Sequence, residues 1–132
     1  MYKFRGRCGD MAPFALAAEQ WPIVWNPPGW GSTTDLKLKG VFGPLVEGDW
    51  YSAMLIGMKP LSVIPNHVDA PFRVPTTRVH VVLASNSGCW NWHDGQWHQL
   101  EVGGCYEMDQ TLEHGSVNMG ASTRFHLIVD LL

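Results

Sequence analysis

The chain has 132 residues, of which 45% are apolar and 16% charged, with a formal net charge of −3. That length suits one domain with one core. No basic run favours nucleic acid, and no apolar stretch approaches the roughly 20 residues needed to cross a bilayer.

Lys3, Arg5 and Arg7 precede a short apolar run, Met11 to Ala18, in loose imitation of a secretory signal. Gly9 and Asp10 interrupt the pattern and Pro13 sits inside the run, so a cytoplasmic protein is expected. Composition then divides the chain near residue 48. Residues 1–47 carry Trp21, Trp25, Trp30, Pro22, Pro27, Pro28 and several glycines. They read as an irregular N-terminal cover with one short helix over Pro13 to Gln20. Its aromatics need a surface, so it should wrap a core made by residues 48–132, all within a single domain. Cys8, Cys89 and Cys105 are odd in number and lack a Cys-x-x-Cys pair. They read as buried free thiols, with Cys89 and Cys105 as potential neighbours in a sheet.

From Asp49 onward the chain reads as short strands with turn punctuation. Trp50 to Gly57 comes first, then Ser62 to His67 after the turn at Lys59-Pro60, then Arg78 to Ala84. Gly88 to Trp92 and Gln96 to Leu100 flank His93-Asp94-Gly95, and Asp-Gly is a strong tight-hairpin signal. His93 and His98 should face solvent beside this hairpin. Trp90, Trp92 and Trp97 should pack across it, and exposed tryptophans there would suit a homodimer. Cys105 to Met108, Gly115 to Asn118 and Thr123 to Leu131 complete the set. Seven or eight short strands with no helix between them predict an all-β sandwich or barrel, and the small jelly roll fits the length.

One constellation carries chemistry. His67 and Asp69 are separated by one residue, His114 lies 47 residues on, and Arg124 comes 10 after that. Positions i and i+2 of a strand share a side, so His67 and Asp69 face one way. Arg78 with His80, and Arg124 with His126, share faces for the same reason. Two imidazoles and one carboxylate hold a divalent iron while leaving coordination positions open. Arg124 sits in an otherwise apolar strand, where an unpaired guanidinium is costly. Its partner is either the carboxylate of a bound diacid, which its planar fork matches, or an internal Asp109 or Glu107.

The stretch NHVDAPFRVPTTRVHVVL (66–83), and above all EHGSVNMGASTRFHLIVD (113–130), resembles the aspartyl/asparaginyl β-hydroxylase family. These are iron- and 2-oxoglutarate-dependent oxygenases; the chain is also similar to the free-proline cis-hydroxylases of the same superfamily. The resemblance covers about residues 48 to 132. It implies a cupin-like double-stranded β-helix with Fe(II) held by His67, Asp69 and His114. It implies that Arg124 takes the distal (C5) carboxylate of 2-oxoglutarate and that Arg78 and His80 help seat that cosubstrate. Some members carry glycine at the carboxylate position and bind iron through two histidines; Asp69 puts this chain in the three-ligand pattern. The expected activity is hydroxylation, with dioxygen, of an amino acid that is either a small molecule or part of a peptide. Two rivals remain at this stage: a metal cupin that is a 2-oxoglutarate-independent dioxygenase or isomerase, and a non-catalytic jelly-roll binding module.

Overall fold

The computed structural model describes residues 2–132. Eleven strands and two short helices follow in the order β1 (Lys3–Arg7), α1 (Ala12–Gln20), β2 (Val24–Trp25), β3 (Trp30–Thr34), α2 (Leu38–Phe42), β4 (Trp50–Met58), β5 (Ser62–His67), β6 (Thr77–Ala84), β7 (Cys89–His93), β8 (Gln96–His98), β9 (Gly104–Met108), β10 (His114–Asn118) and β11 (Arg124–Leu131). A 3₁₀ turn, Gly43–Leu45, extends α2. A seven-stranded sheet, in the order β1-β9-β6-β11-β4-β3-β2, faces a four-stranded one, β5-β10-β7-β8. Every pairing is antiparallel. This is the expected cupin-like jelly roll. Among the described residues no helix is long and apolar enough to cross a membrane.

Alternation along β11 explains how one sheet serves two ends. Phe125, Leu127, Val129 and Leu131 turn outward and join one core with Val79, Val81 and Leu83 of β6 and with Leu38 and Phe42 of α2. Each fully buried side chain of that size contributes about 1.5–3 kcal/mol. The intervening residues, Arg124, His126, Ile128 and Asp130, are equally buried but face the small sheet. A strand covered on both faces can thus carry polar groups inward without exposing them.

The first 47 residues differ from the expected irregular cover. The helix is where the residues put it, with Pro13 in its first turn and Asp10 accepting the Ala12 N–H at 3.0 Å. However, β1, β2 and β3 are hydrogen-bonded into the large sheet, and α2 packs on β4. The Asp94-Gly95 hairpin is as expected, with φ of 47° and 82° at its two turn residues. Trp92 and Trp97 pack across it with ring centroids 5.1 Å apart. All three cysteines are free, but Cys105 neighbours Cys8, reached through the β1–β9 pairing, rather than Cys89.

Candidate metal centre and adjoining cavity

His67 ends β5 and Asp69 follows two residues later. The Asp69 N–H donates to the Gln110 carbonyl at 2.9 Å, which ties this stretch to the loop before β10. His114 opens β10 and pairs with His67 on one side and His93 on the other. Ligand atoms of His67, Asp69 and His114 all lie within 4.8 Å of one another. His114 Nε2 is 3.1 Å from Asp69 Oδ2, and His67 Nε2 is 3.5 Å from Oδ1. Two donors at about 2.1 Å from one ion and at right angles stand ~3 Å apart, so the spacing suits a common metal.

The tautomers fit as well. His67 Nδ1 lies 2.7 Å from the Pro65 carbonyl and His114 Nδ1 lies 2.8 Å from that of Leu112. A carbonyl only accepts, so each Nδ1 carries the proton and each Nε2 presents its lone pair to the centre. Backbone geometry at His114 is also constrained. The β5–β10 register shifts between His114 and Ser116. A Cβ on Gly115 there would strike Asn66 Oδ1 and meet the Ile64 carbonyl at 2.8 Å.

The sequence reading that put His93 in solvent is overturned. His93 is fully buried, with Nε2 held 2.9 Å from the Asp109 carbonyl. His98 is half-buried, and Tyr2 packs against both.

A cavity of about 430 Å³ runs from the metal centre between the sheets. Trp30, Met54, Ile56 and Ile64 form an apolar wall, while Tyr2, His80 and Arg124 also line it. Arg124 is 2% exposed; its Nη1 donates to Asn91 Oδ1 at 2.9 Å, and its Nε is buried without a partner among the described residues. Among the described residues it has no carboxylate partner. Glu107 pairs with Arg5, and Asp109 accepts from Thr111. Burial lowers the Arg124 pKa to about 10, still leaving it charged at neutral pH. Asn91 lies opposite Ser116, two residues along β10 from His114. That offset is about 7 Å at ~3.4 Å per residue, close to the length of an extended five-carbon diacid.

Arg78 lines the same cavity, but its nitrogens are engaged. Nε and Nη2 hold Asp130 at 2.9 and 3.1 Å, and Nη1 holds Asp69 Oδ2 at 3.2 Å. It is placed to orient the Asp69 carboxylate. His80 Nδ1 is 3.2 Å from His126 Nδ1, and His80 Nε2 is buried without a partner among the described residues. Burial, then the Arg124 charge, hold both rings well below the usual histidine pKa, so both are neutral.

Two contributors, Asn91 and Tyr2, escaped the sequence reading, whereas Asn118 lies in the stretch that carries the family resemblance. Asn118 is fully buried and donates to the Met58 and Ser122 carbonyls, both at 2.9 Å, which sets the turn that launches Arg124. Its fixed place between His114 and Arg124 was the available signal. Asn91 and Tyr2 gave none.

The family model for Aspartyl/Asparaginyl beta-hydroxylase matches residues 39–132. The L-proline cis-4-hydroxylase of Rhizobium meliloti (strain 1021) is 33% identical over 54 residues, a match spanning 41% of this chain and only 19% of that enzyme. Among solved structures, the Schizosaccharomyces pombe Cnp3 cupin domain superposes with a TM-score of 0.62 at 7% identity, over 86% of this chain and 69% of that one. A predicted oxalate decarboxylase from Thermotoga maritima gives 0.57 at 14% identity, over 84% and 90%. At such identities the likeness is one of fold. The family match takes in both sheets' central strands together with His67, Asp69, Arg78, His114 and Arg124, so the chain belongs to the aspartyl/asparaginyl β-hydroxylase family.

Proposed function

We propose that the chain is an Fe(II)- and 2-oxoglutarate-dependent hydroxylase of an amino acid, free or within a peptide. The observation that carries this reading is the pairing of two features in one cavity. One is a two-histidine, one-carboxylate centre with both Nε2 lone pairs turned inward. The other is a buried guanidinium with no carboxylate partner among the described residues. A diacid chelated at the first and anchored at the second fits both.

His67, Asp69 and His114 would hold the iron, a donor set that leaves positions open for cosubstrate and dioxygen. With 2-oxoglutarate bound, that iron supplies the oxidising chemistry that turns dioxygen, cosubstrate and a substrate C–H bond into succinate, carbon dioxide and an alcohol. Arg78 fixes the Asp69 carboxylate, with Asp130 fixing Arg78 in turn. Arg124 takes the distal carboxylate in charge-assisted hydrogen bonds. If His126 donates through Nδ1, His80 keeps its proton on Nε2 and can donate to the cosubstrate from the cavity wall. Trp30, Met54, Ile56 and Ile64 keep water away from the reacting atoms. A more open hollow of about 510 Å³ shares Arg78 and Met108 with this cavity and includes Phe72 and Val74. It offers the substrate a place beside the metal. Three free thiols accord with a reducing cytoplasm.

The test is anaerobic titration with Fe(II) and then 2-oxoglutarate, followed by succinate release in air across a panel of amino acids and short peptides. Binding of both and substrate-stimulated succinate are expected. Metal binding with no 2-oxoglutarate affinity would favour a cupin of different chemistry instead.

A further inference from the structure

We infer that Tyr2 is a second anchor for the distal carboxylate, beside Arg124, and that its ring limits the length of diacid the cavity admits. This rests on the 2-oxoglutarate reading above and adds a residue outside the family-matched segment.

Tyr2 lines the same cavity as Arg124 and His80. It directly precedes β1, whose pairing with β9 (Lys3 opposite Glu107) fixes where it enters. Its ring is wedged between the two sheets. It meets His80 of the large sheet edge-on, with centroids 5.8 Å apart, and lies 5.2 Å from His93 and 5.4 Å from His98 of the small sheet. A ring caged by three others has little rotational freedom, so its hydroxyl is a fixed feature of the cavity.

Among the described residues that hydroxyl has no hydrogen-bond partner, and Arg124 makes only its bond to Asn91. Burial raises the phenol to about 12, with Arg124 the opposing influence. Tyr2 therefore carries its proton at neutral pH and can donate. A carboxylate has four lone-pair sites, more than one guanidinium edge uses. An oxygen shared between Arg124 and Tyr2 would satisfy a buried guanidinium and a partly buried hydroxyl together. Selectivity follows from packing: the caged ring closes this end of the cavity, and a chain one methylene longer would collide with it.

The experiment compares the full chain with Tyr2→Phe and Tyr2→Ala, loaded with Mn(II) without oxygen, by calorimetry. The ligands are 2-oxoglutarate, 2-oxopentanoate (the same chain without the second carboxylate) and 2-oxoadipate. Tyr2→Phe should weaken 2-oxoglutarate about tenfold, the effect of losing one hydrogen bond to a charged group. It should leave 2-oxopentanoate, Mn(II) affinity and the thermal midpoint unchanged. Tyr2→Ala should shift preference toward 2-oxoadipate. Equal 2-oxoglutarate affinity in wild type and Tyr2→Phe would overturn the inference alone, as would equal losses for both C5 ligands. A wild type that takes Mn(II) but no 2-oxoglutarate would overturn the parent reading and this inference with it.

Discussion

Replacing Arg124 with methionine separates a ligand anchor from a structural cation by sign. The guanidinium is 2% exposed, keeps one hydrogen bond and leaves Nε unpartnered. Burial has taken its pKa from 12.5 to about 10. At ~1.4 kcal/mol per unit, the charged form is destabilised in the folded state by about 3 kcal/mol. The lost bond to Asn91 offsets about 1.5–3 kcal/mol of that. Methionine fills similar volume without charge, so the ligand-free variant should unfold at the same temperature as wild type or a few degrees above it. Binding should move the other way. Removing one member of a buried charge pair costs about 2–5 kcal/mol, roughly 30- to 5,000-fold in 2-oxoglutarate affinity. Thermal denaturation without ligand and calorimetry with Mn(II) and 2-oxoglutarate measure the two halves. A variant that loses several degrees while binding 2-oxoglutarate as wild type does would refute the reasoning.

Acid should destabilise the metal-free protein through His80 and His126. Both have folded pKa values well below 6.5, so below that pH the unfolded chain binds protons that the folded one refuses. Stability should be level above about pH 7 and fall by up to ~3 kcal/mol per pH unit below 6.5, read by urea denaturation; a flat profile from pH 7 to 5 would contradict it. Gly115→Ala forces a Cβ against the Ile64 carbonyl and Asn66 next to His114. It should cost about 1–3 kcal/mol and weaken Mn(II) binding, whereas an unchanged metal isotherm would show that the β5–β10 bulge does not position the ligand. Asp69→Gly removes one donor and one of Arg78's two carboxylate partners. Turnover should be lost and Fe(II) affinity should fall by at least tenfold; retained turnover would mean that two histidines suffice in this scaffold.

The legible parts of the sequence were those set by local chemistry. Ser62–His67 stood between a Lys-Pro turn and a Pro-rich loop, and the hairpin was announced by Asp94-Gly95. The i, i+2 rule placed His67 with Asp69, and Arg78 with His80. What was hidden depends on register between distant strands. Lys3–Arg7 and Trp30–Thr34 are glycine-interrupted and lack alternation, so only pairing with β9 and β4 makes them strands. His93 sits one residue from a turn, a place that suggests solvent. Tyr2 and the Asp109 carbonyl, both remote in sequence, bury it. Asp130 is six residues from Arg124, yet on the sequence no acid was its obvious mate and the internal candidates were Asp109 and Glu107. The β6–β11 register sets Asp130 opposite Arg78 instead, and Arg124 is left without a carboxylate.

That exchange of partners fixes the charge balance of the cavity. Asp69 and Asp130 contribute two negative charges, Arg78 and Arg124 two positive ones, and His80 and His126 are neutral. The protein's own charges are therefore balanced in number but not in place: the acids cluster with Arg78 beside His67 and His114, and Arg124 stands alone at the other end. A divalent ion alone would leave two uncompensated positive charges in a poorly solvated space. A dianionic cosubstrate alone would leave two uncompensated negative charges, one of them at the end already holding both carboxylates. Bound together they would cancel, with one carboxylate at the ion and the other at Arg124. Had Asp130 paired with Arg124, the inner end of the cavity would have had no standing demand for an anion, and the same metal centre would have suited a different chemistry.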